Sequence, residues 1–434
     1  PLLTYLNQFL VITPLRFVMG NIFSLKQETQ RPVILIFSRL LTVSMFAGSV
    51  WLVFLLLKQA GVGEGTASAA ALLMGTSSGM LIFNRFLTAD SPLLFWMLLA
   101  FYFSISAAQE KSKGKAILAG LCIGLATAMK YNGLFVCAAL PAAVLATMGW
   151  KGILWRGFWL GVVASPLGFA MGNPGFVFDF PRFYQDFLYN LYVTPVYEGQ
   201  TNSHSYAKFW TFLPEIIGWG GVFLLTIGLV CLILFFSSWL RLSSSRVLVV
   251  AAAAVFLLYY WKIGGFPRAA TRFVLPSVPF LLLLGAIGWG SVSKYLRKIG
   301  VAAFVIVLGY NSLASLEAGF RFLHDPRMPA LDWMRTNVGE GEVVENSYAP
   351  NWSKLAGFRG KVIMMPTVTG RASLFPGILP TNPVLERGIR VHETPPEAVA
   401  YFSEEALRSR NPTWIAFTSQ VFDFSGNETV QRYY

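Results

Sequence analysis

An arginine and an aspartate lie between two apolar runs near residue 90. The first run ends at Asn84; Arg85 follows it, and five residues later Asp90 precedes Ser91 and Pro92, which open the next run. Pro in the first helical turn suits a helix start, and the helix dipole favours an acid there. Asp90 is therefore either a simple helix-start residue or, with Arg85, part of a polar site at the mouth of a helix pair.

Two further segments place cations at the ends of apolar runs. Lys130 and Tyr131 interrupt an apolar hairpin, and Arg268 and Arg272 lie in KIGGFPRAATR, just before another run. A lysine beside an interfacial tyrosine can simply snorkel to the membrane surface, and arginines can anchor a helix at lipid headgroups. The same cations can bind a phosphate or diphosphate, arginine through paired hydrogen bonds.

The segment 174–210 interleaves aromatic residues with polar ones, among them His204 and Tyr206. Such a mixture suits a sugar-binding cleft or an interfacial aromatic belt. An acid, several cations and a membrane groove together suit sugar transfer from a lipid-phosphate donor. In that chemistry the cations hold the phosphate leaving group, and a carboxylate deprotonates or orients the acceptor.

Composition predicts a multi-span α-helical membrane protein. Hydrophobic residues make up 55% of the 434 positions and charged residues only 13%, about half the charge typical of a soluble domain. Apolar runs long enough to cross a bilayer recur throughout the chain. We predict about ten spans, at about 33–57, 66–84, 92–108, 116–148 (a hairpin), 157–173, 212–237, 247–261, 273–291 and 300–317.

The sequence offers no metal or disulfide framework. The three cysteines lie inside apolar runs, and the three histidines, His204, His324 and His392, are far apart in the chain. The sequence therefore identifies no certain cofactor, and no divalent metal is indicated. The net charge of +13 could suggest nucleic acid, but the basic residues are concentrated in short loops between spans, so no nucleic-acid partner is expected.

Loop charges predict the orientation in the membrane. With residue 1 outside, the inside loops hold two acids, Glu64 and Glu110, and eleven basic residues: Lys58, Lys111, Lys113, Lys115, Lys151, Arg156, Arg241, Arg246, Lys294, Arg297 and Lys298. Cytoplasmic loops carry such an excess. Every candidate site residue then lies on the outer face, and this clustering is the main functional signal.

Three domains are expected. Residues 1–32 form outer-face interfacial helices, residues 33–319 the transmembrane domain, and residues 320–434 a small extracytoplasmic α/β domain. In the last, short β-rich runs at 342–344, 361–365 and 414–417 alternate with helical patterns. We place the protein in a plasma or inner membrane.

The order of several segments resembles the GT-C class of membrane glycosyltransferases. It is most similar to the protein O-mannosyltransferases and the aminoarabinose transferases that modify lipid A. The resemblance covers roughly residues 1–320 and is carried by PLLTYL, RFLTADSPLLFW, GLCIGLATAMKYNGL, NPGFVFDFPRF and RFVLPSVPFLLLLGAIG.

The resemblance implies a GT-C-like fold and a polyprenyl-phosphate-linked sugar donor. It implies an inverting hexosyl- or pentosyltransferase that modifies a protein, lipid or glycan acceptor on the extracytoplasmic face. The family's principal catalytic acid follows its first span, and PLLTYL opens this chain, so we expect that acid and span upstream of Pro1. Asp90 would be the supporting acid. Arg268, Arg272 and Lys130 would bind the donor phosphate, and Arg85, Tyr131, His204 and Tyr206 the substrates.

Two other functions are weighed against transfer. A transporter or flippase for a lipid-linked substrate would be expected to show inverted repeats and broken helices at mid-membrane depth. No such repeat is evident, and the charges lie at one face instead. A non-catalytic structural subunit of a membrane assembly is the third possibility. A cleft that joins Asp90, Lys130 and Arg272 would favour the transferase.

Overall fold

The computed structural model describes residues 10–11, 31–84, 88–188, 206–235, 237, 240, 243–265, 270–323, 332–333, 336–337, 339, 343–346, 361–364 and 414–416, without the side chains of 31–35, 293–297, 321–323, 343–346, 361–364 and 414–416. The chain divides into two units. The first comprises 1–180 and 203–318, and the second comprises 181–202 and 319–434. The predicted interfacial helices at 1–32 lie almost entirely outside the described residues.

The described part of the first unit is helical, as its apolar runs predict. In chain order the helices are α1 (Arg31–Gln59), α2 (Glu64–Thr76), α3 (Ser78–Asn84), α4 (Asp90–Glu110), α5 (Lys113–Met129), α6 (Ala139–Met148), α7 (Arg156–Gly172), α8 (Gly175–Phe178), α9 (Phe180–Leu188), α10 (Tyr206–Thr211), α11 (Leu213–Leu234), α12 (Ser243–Ile263), α13 (Thr271–Val274) and α14 (Val278–Leu323). Short 3-10 turns occupy Tyr131–Ala138, Gly149–Leu154 and Leu275–Ser277. Helices α9 and α14 continue into the second unit.

The multi-pass helical prediction is confirmed. Among the described residues, seven helical segments are long and apolar enough to cross a membrane, and α2 with α3, bent by 58°, makes an eighth if counted as one span. Helices α5 and α7 coincide with the two remaining predicted spans. Each has 17 residues, at the lower limit of a span. The total of ten stays a prediction.

Helices α5 and α7 pack so closely that side chains are excluded between them. A Cβ on Gly120 would overlap the Gly161 carbonyl oxygen, and one on Gly124 would overlap that of Ser165. Small residues let membrane helices approach to backbone contact, which strengthens van der Waals packing where no hydrophobic effect operates. This contact fixes α5, whose last residue directly precedes Lys130.

Helix α14 takes part in two membrane-crossing arms. The first arm, Thr271–Val292, begins with α13 and the 3-10 turn that leads into α14, and the second arm is Lys298–Phe320. Along the first arm, Gly285 contacts Leu225 of α11 and Gly288 contacts Gly228, so this arm runs parallel to α11. The second arm runs antiparallel to α11, because Val307 contacts Gly220 and Asn311 contacts Gly218. The arms therefore run in opposite directions along α11.

Helix α11 has a break that the second arm of α14 accommodates. Gly218 adopts φ 72° and ψ 157°, a conformation that a side chain would strain. The neighbouring Ile217 carbonyl accepts a hydrogen bond from Asn311 Nδ2 at 3.1 Å. The amide thus gives a buried carbonyl beside the break a hydrogen-bond partner.

In the second unit, the described strands are β1 (Val343–Asn346), β2 (Lys361–Met364) and β3 (Trp414–Ala416). The predicted β-rich runs contain β2 and β3, whereas β1 extends two residues past the run predicted at 342–344. They form a parallel sheet in the order β2-β1-β3. Parallel neighbours require crossover connections, which suits the predicted α/β arrangement. The residues between the strands, 347–360 and 365–413, lie outside the described part of the chain, so the α/β domain stays a prediction.

Candidate functional site

Asp90 and Lys130 form an ion pair between two helix ends. Lys130 Nζ lies 3.0 Å from Asp90 Oδ1, and the side chains are 30% and 8% exposed. Asp90 is the first residue of α4, where the dipole favours an acid, but its carboxylate bonds to a residue forty positions away. The site and helix-start interpretations of Asp90 are therefore both compatible with this geometry.

The surrounding backbone fixes both partners. Ser91 Oγ donates to the Thr42 carbonyl of α1 at 2.6 Å, which ties the start of α4 to its neighbour. Helix α5 ends at Met129, and Lys130 is extended at φ −159° before the 3-10 turn begins. Gly133 permits this turn, because a Cβ there would overlap the backbone of Ala126 and the Leu93 side chain.

A second predicted cation lies beside the same group of residues. Lys130 Nζ lies over the Phe273 ring at 5.2 Å from its centroid, and the Arg272 guanidinium carbon lies over the same ring at 5.3 Å. Aromatic rings attract cations through the negative charge of their faces. The exposed Arg272 and the half-buried Lys130 are thus gathered around Phe273, with the Asp90 carboxylate on the lysine.

Hydrogen bonds connect the two cation-bearing segments. Asn132 Nδ2 donates to the Tyr259 hydroxyl at 2.8 Å, and that hydroxyl donates to the Phe273 carbonyl oxygen at 2.6 Å. Tyr259 is fully buried in α12, and the Phe135 ring packs edge-on against it. The turn that carries Lys130 is thereby linked through α12 to the segment that carries Arg272.

The Arg272 segment makes a further hydrogen bond on the N-terminal side of the arginine. Thr271 Oγ1 donates to Glu215 Oε2 at 2.5 Å. Glu215 lies in the first turn of α11, where the dipole favours an acid, and it is exposed. The Glu215 carboxylate therefore contacts Thr271, the residue that precedes Arg272 in the chain.

The predicted substrate-binding tyrosines take different places. Tyr131 directly follows Lys130 in the 3-10 turn and is half-buried. Tyr206 lies in α10 and donates its hydroxyl hydrogen to the Trp261 carbonyl at 3.0 Å. It belongs to an aromatic cluster made of Tyr206, Phe209, Trp210, Phe256 and Tyr260. No described contact joins Tyr206 to Asp90 or Lys130.

The remaining predicted site residues, Arg85, His204 and Arg268, lie outside the described residues. Among the described residues, no group of three His, Cys, Asp or Glu side chains could hold a metal ion. A cavity of about 670 Å³ lies elsewhere in the first unit, between α2, α11 and the two arms of α14. None of its lining residues is a predicted site residue.

Sequence reasoning did not select Asn132, Tyr259 or Glu215. Asn132 stands next to Lys130 and Tyr131 in AMKYNGL, so its position alone could have suggested it. Tyr259 lies within an apolar run, and a buried hydroxyl there needs a partner. Glu215 is an acid at the start of a long apolar run, the pattern that first drew attention to Asp90.

Comparison with known proteins supports the resemblance. Residues 20–163 match the family model of the dolichyl-phosphate-mannose-protein mannosyltransferases. Similar solved structures include ArnT from Cupriavidus metallidurans bound to undecaprenyl phosphate, with 14% identity and a TM-score of 0.52. They also include ArnT from Cupriavidus metallidurans in the apo state, with 13% identity and a TM-score of 0.53. Each alignment covers 87% of this chain and 80% of that one. No curated protein sequence matches the chain.

At this identity the structural likeness shows the fold. The chain is a multi-pass membrane protein with the fold of these ArnT structures. The predicted resemblance to membrane glycosyltransferases of the GT-C class is confirmed.

Proposed function

We propose that this protein transfers a sugar from a polyprenyl-phosphate-linked donor to a protein, lipid or glycan acceptor on the extracytoplasmic face of a plasma or inner membrane. The matching family is named for dolichyl-phosphate-mannose, and the similar ArnT structure holds undecaprenyl phosphate. Both are polyprenyl phosphates, so one donor class fits both comparisons. Transfer would be inverting, with a hexose or pentose as the donor sugar.

The gathering of Lys130 and Arg272 around the Phe273 ring carries the proposal. Arg272 is exposed and can present a planar fork to phosphate oxygens. Lys130 has three donors, and its bond to Asp90 leaves donors for a second anion. As the sugar leaves, charge develops on the donor phosphate, and cations placed beforehand stabilise that charge. Arg268 belongs to the same loop and would assist.

Asp90 then supports the reaction rather than acting as its principal base. Its carboxylate is 8% exposed and already bonded to Lys130. It is therefore poorly placed to take a proton from an incoming acceptor, and well placed to hold Lys130 at the phosphate. Tyr131 adjoins this group directly, whereas Arg85, His204 and Tyr206 are proposed to line the sugar or acceptor path.

Turnover of a defined donor tests the function. The full chain, purified and reconstituted in vesicles, is given a panel of radiolabelled undecaprenyl- and dolichyl-phosphate sugars with a membrane extract as acceptor. We expect label to leave at least one donor and the free lipid phosphate to appear. Arg272→Ala should lower this turnover by about tenfold or more, as loss of a charge-assisted phosphate contact would.

Two results would overturn the proposal. One is the absence of sugar release from every donor by a protein that is folded and correctly inserted. The other is movement of the labelled donor between leaflets without cleavage, which would identify a flippase instead.

A further inference from the structure

We propose that Tyr259 and Glu215 are positioning residues that hold Arg272 from both sides through its chain neighbours, Phe273 and Thr271. This inference rests on the proposed function, because it concerns how tightly the donor phosphate is bound. It adds two residues that the sequence-based prediction of the site did not include. Tyr259 lies on α12 and Glu215 lies on α11.

Arg272 is the second residue of the membrane-crossing arm Thr271–Val292 and lies at the end of that arm. Helix α13 has only four residues there, and helix ends fray because their first N–H groups have no intrahelical partners. An exposed arginine also has many rotamers, and fixing them costs entropy each time a phosphate is bound. Holding both chain neighbours of the arginine in place limits the positions that its side chain can reach, and so removes part of that cost before binding.

On the C-terminal side, the anchor is rigid. The Tyr259 hydroxyl donates to the Phe273 carbonyl oxygen at 2.6 Å from a fully buried position in α12. The Tyr259 hydroxyl oxygen in turn accepts a hydrogen bond from Asn132 Nδ2, two residues after Lys130. One phenol therefore sets the spacing between the Lys130 turn and the Arg272 segment, the two cations proposed to hold the phosphate.

On the N-terminal side, the anchor is the bond from Thr271 Oγ1 to Glu215 Oε2 at 2.5 Å. Packing also fixes the first turn of α11, because a Cβ on Gly79 of α3 would overlap the backbone of Glu215 and Ile216. Hydrogen bonds to an ionised carboxylate are stronger than neutral ones. The two chain neighbours of Arg272 are thus held by hydrogen bonds, Phe273 by a neutral one and Thr271 by one to a carboxylate.

A purely structural role for these hydroxyls makes different predictions. A buried tyrosine in a membrane helix needs a partner in any case, and losing it would lower the melting temperature and the active fraction. Such a loss scales kcat and leaves the donor affinity of the remaining folded molecules unchanged. A positioning role raises the donor KM and the Kd for the lipid phosphate of the folded molecules, whatever the change in melting temperature.

The test measures Kd for undecaprenyl phosphate, donor KM, kcat and melting temperature on the full chain. Tyr259→Phe and Thr271→Val each remove one donor and almost no volume. We expect each to raise Kd and KM about five- to tenfold, with a smaller effect on kcat. Glu215→Ala should match Thr271→Val, whereas Glu215→Gln retains an acceptor and should restore most of the affinity.

Matched controls come from the same chain. Tyr102→Phe removes a hydroxyl from a half-buried tyrosine of α4, and Thr226→Val removes one that bonds to its own helix at the Val222 carbonyl. Both should leave Kd unchanged. In an Arg272→Ala background, Thr271→Val should add nothing further, because the residue it positions is gone.

Each result decides between the two proposals. If Arg272→Ala weakens lipid-phosphate binding but Tyr259→Phe and Thr271→Val do not, the positioning role is wrong and the donor site stands. If the variants lower the melting temperature and kcat but leave Kd and KM unchanged, their role is structural and the inference is wrong. If the wild-type chain binds no polyprenyl phosphate, both proposals are wrong.

Discussion

At the scale of single residues, the Asp90–Lys130 pair is the most constrained feature of the site. A carboxylate that is 8% exposed has few water contacts, so the lysine is its close hydrogen-bonding partner. Burying two charges is costly, and such pairs add little stability compared with apolar replacements. Removing one partner is a different matter, because the other charge is then enclosed without compensation. The pair is therefore better explained by what it positions than by what it stabilises.

Lys130→Ala should lower the free energy of unfolding by about 1–3 kcal/mol, because Lys130 is partly exposed and the usual cost of breaking a fully buried pair is reduced accordingly. Thermal unfolding of the detergent-solubilised chain measures this. Lys115→Ala is the matched control, since Lys115 pairs with Glu110 at an exposed position and should cost at most about 1 kcal/mol. Equal losses in the two variants would contradict the special burial of Asp90.

At the scale of helices, close packing without side chains determines where Lys130 lies. Helix α5 is held against α7 along Gly120 and Gly124, and it ends one residue before Lys130. The membrane offers no hydrophobic force to press the helices together, so this contact depends on a close fit. A displacement of α5 would carry Lys130 away from Asp90 and from the Phe273 ring.

Two glycine substitutions on α5 should therefore differ in their effect on stability. Gly120→Ala places a Cβ against the Gly161 backbone and should destabilise the protein by about 1–3 kcal/mol. Gly114→Ala meets open space in the first turn of the same helix and should be neutral or stabilising by up to about 1 kcal/mol. Melting temperatures of both variants decide the matter, and a stabilising Gly120→Ala would refute the close contact.

At the scale of the whole molecule, the function depends on orientation. The excess of basic residues in alternate loops predicts that the Lys130 turn and the Arg272 segment face away from the cytoplasm. A polyprenyl-phosphate sugar presented on the outer face could then reach both cations. The opposite orientation would place the same site in the cytoplasm and change the class of acceptor.

Cysteine labelling at the two ends of α7 tests the orientation. Lys151 precedes this helix and Phe178 follows it, and both side chains are exposed. With the native cysteines replaced, a membrane-impermeant maleimide should label Phe178→Cys in intact cells. It should label Lys151→Cys only after the membrane is permeabilised. The reverse pattern would overturn the predicted orientation.

The sequence by itself determined the class of the molecule. Long apolar runs leave a membrane-spanning helix as the only way to pair their backbone groups, so the positions of the spans follow from composition. The break at Lys130 and the start of α4 near Asp90 were also predictable, because polar residues, Pro and Gly interrupt the runs there. The candidate cations were found for the same reason.

Only the tertiary structure decided which polar residues meet. Lys130 and Asp90 are forty residues apart, and Asn132 and Tyr259 are 127 apart. Such pairings depend on which helices pack together, and no local pattern encodes that. The roles of Tyr259 and Glu215 became visible only through their bonds to the residues beside Arg272. The sequence thus supplied the charged groups, and packing selected those that share a site.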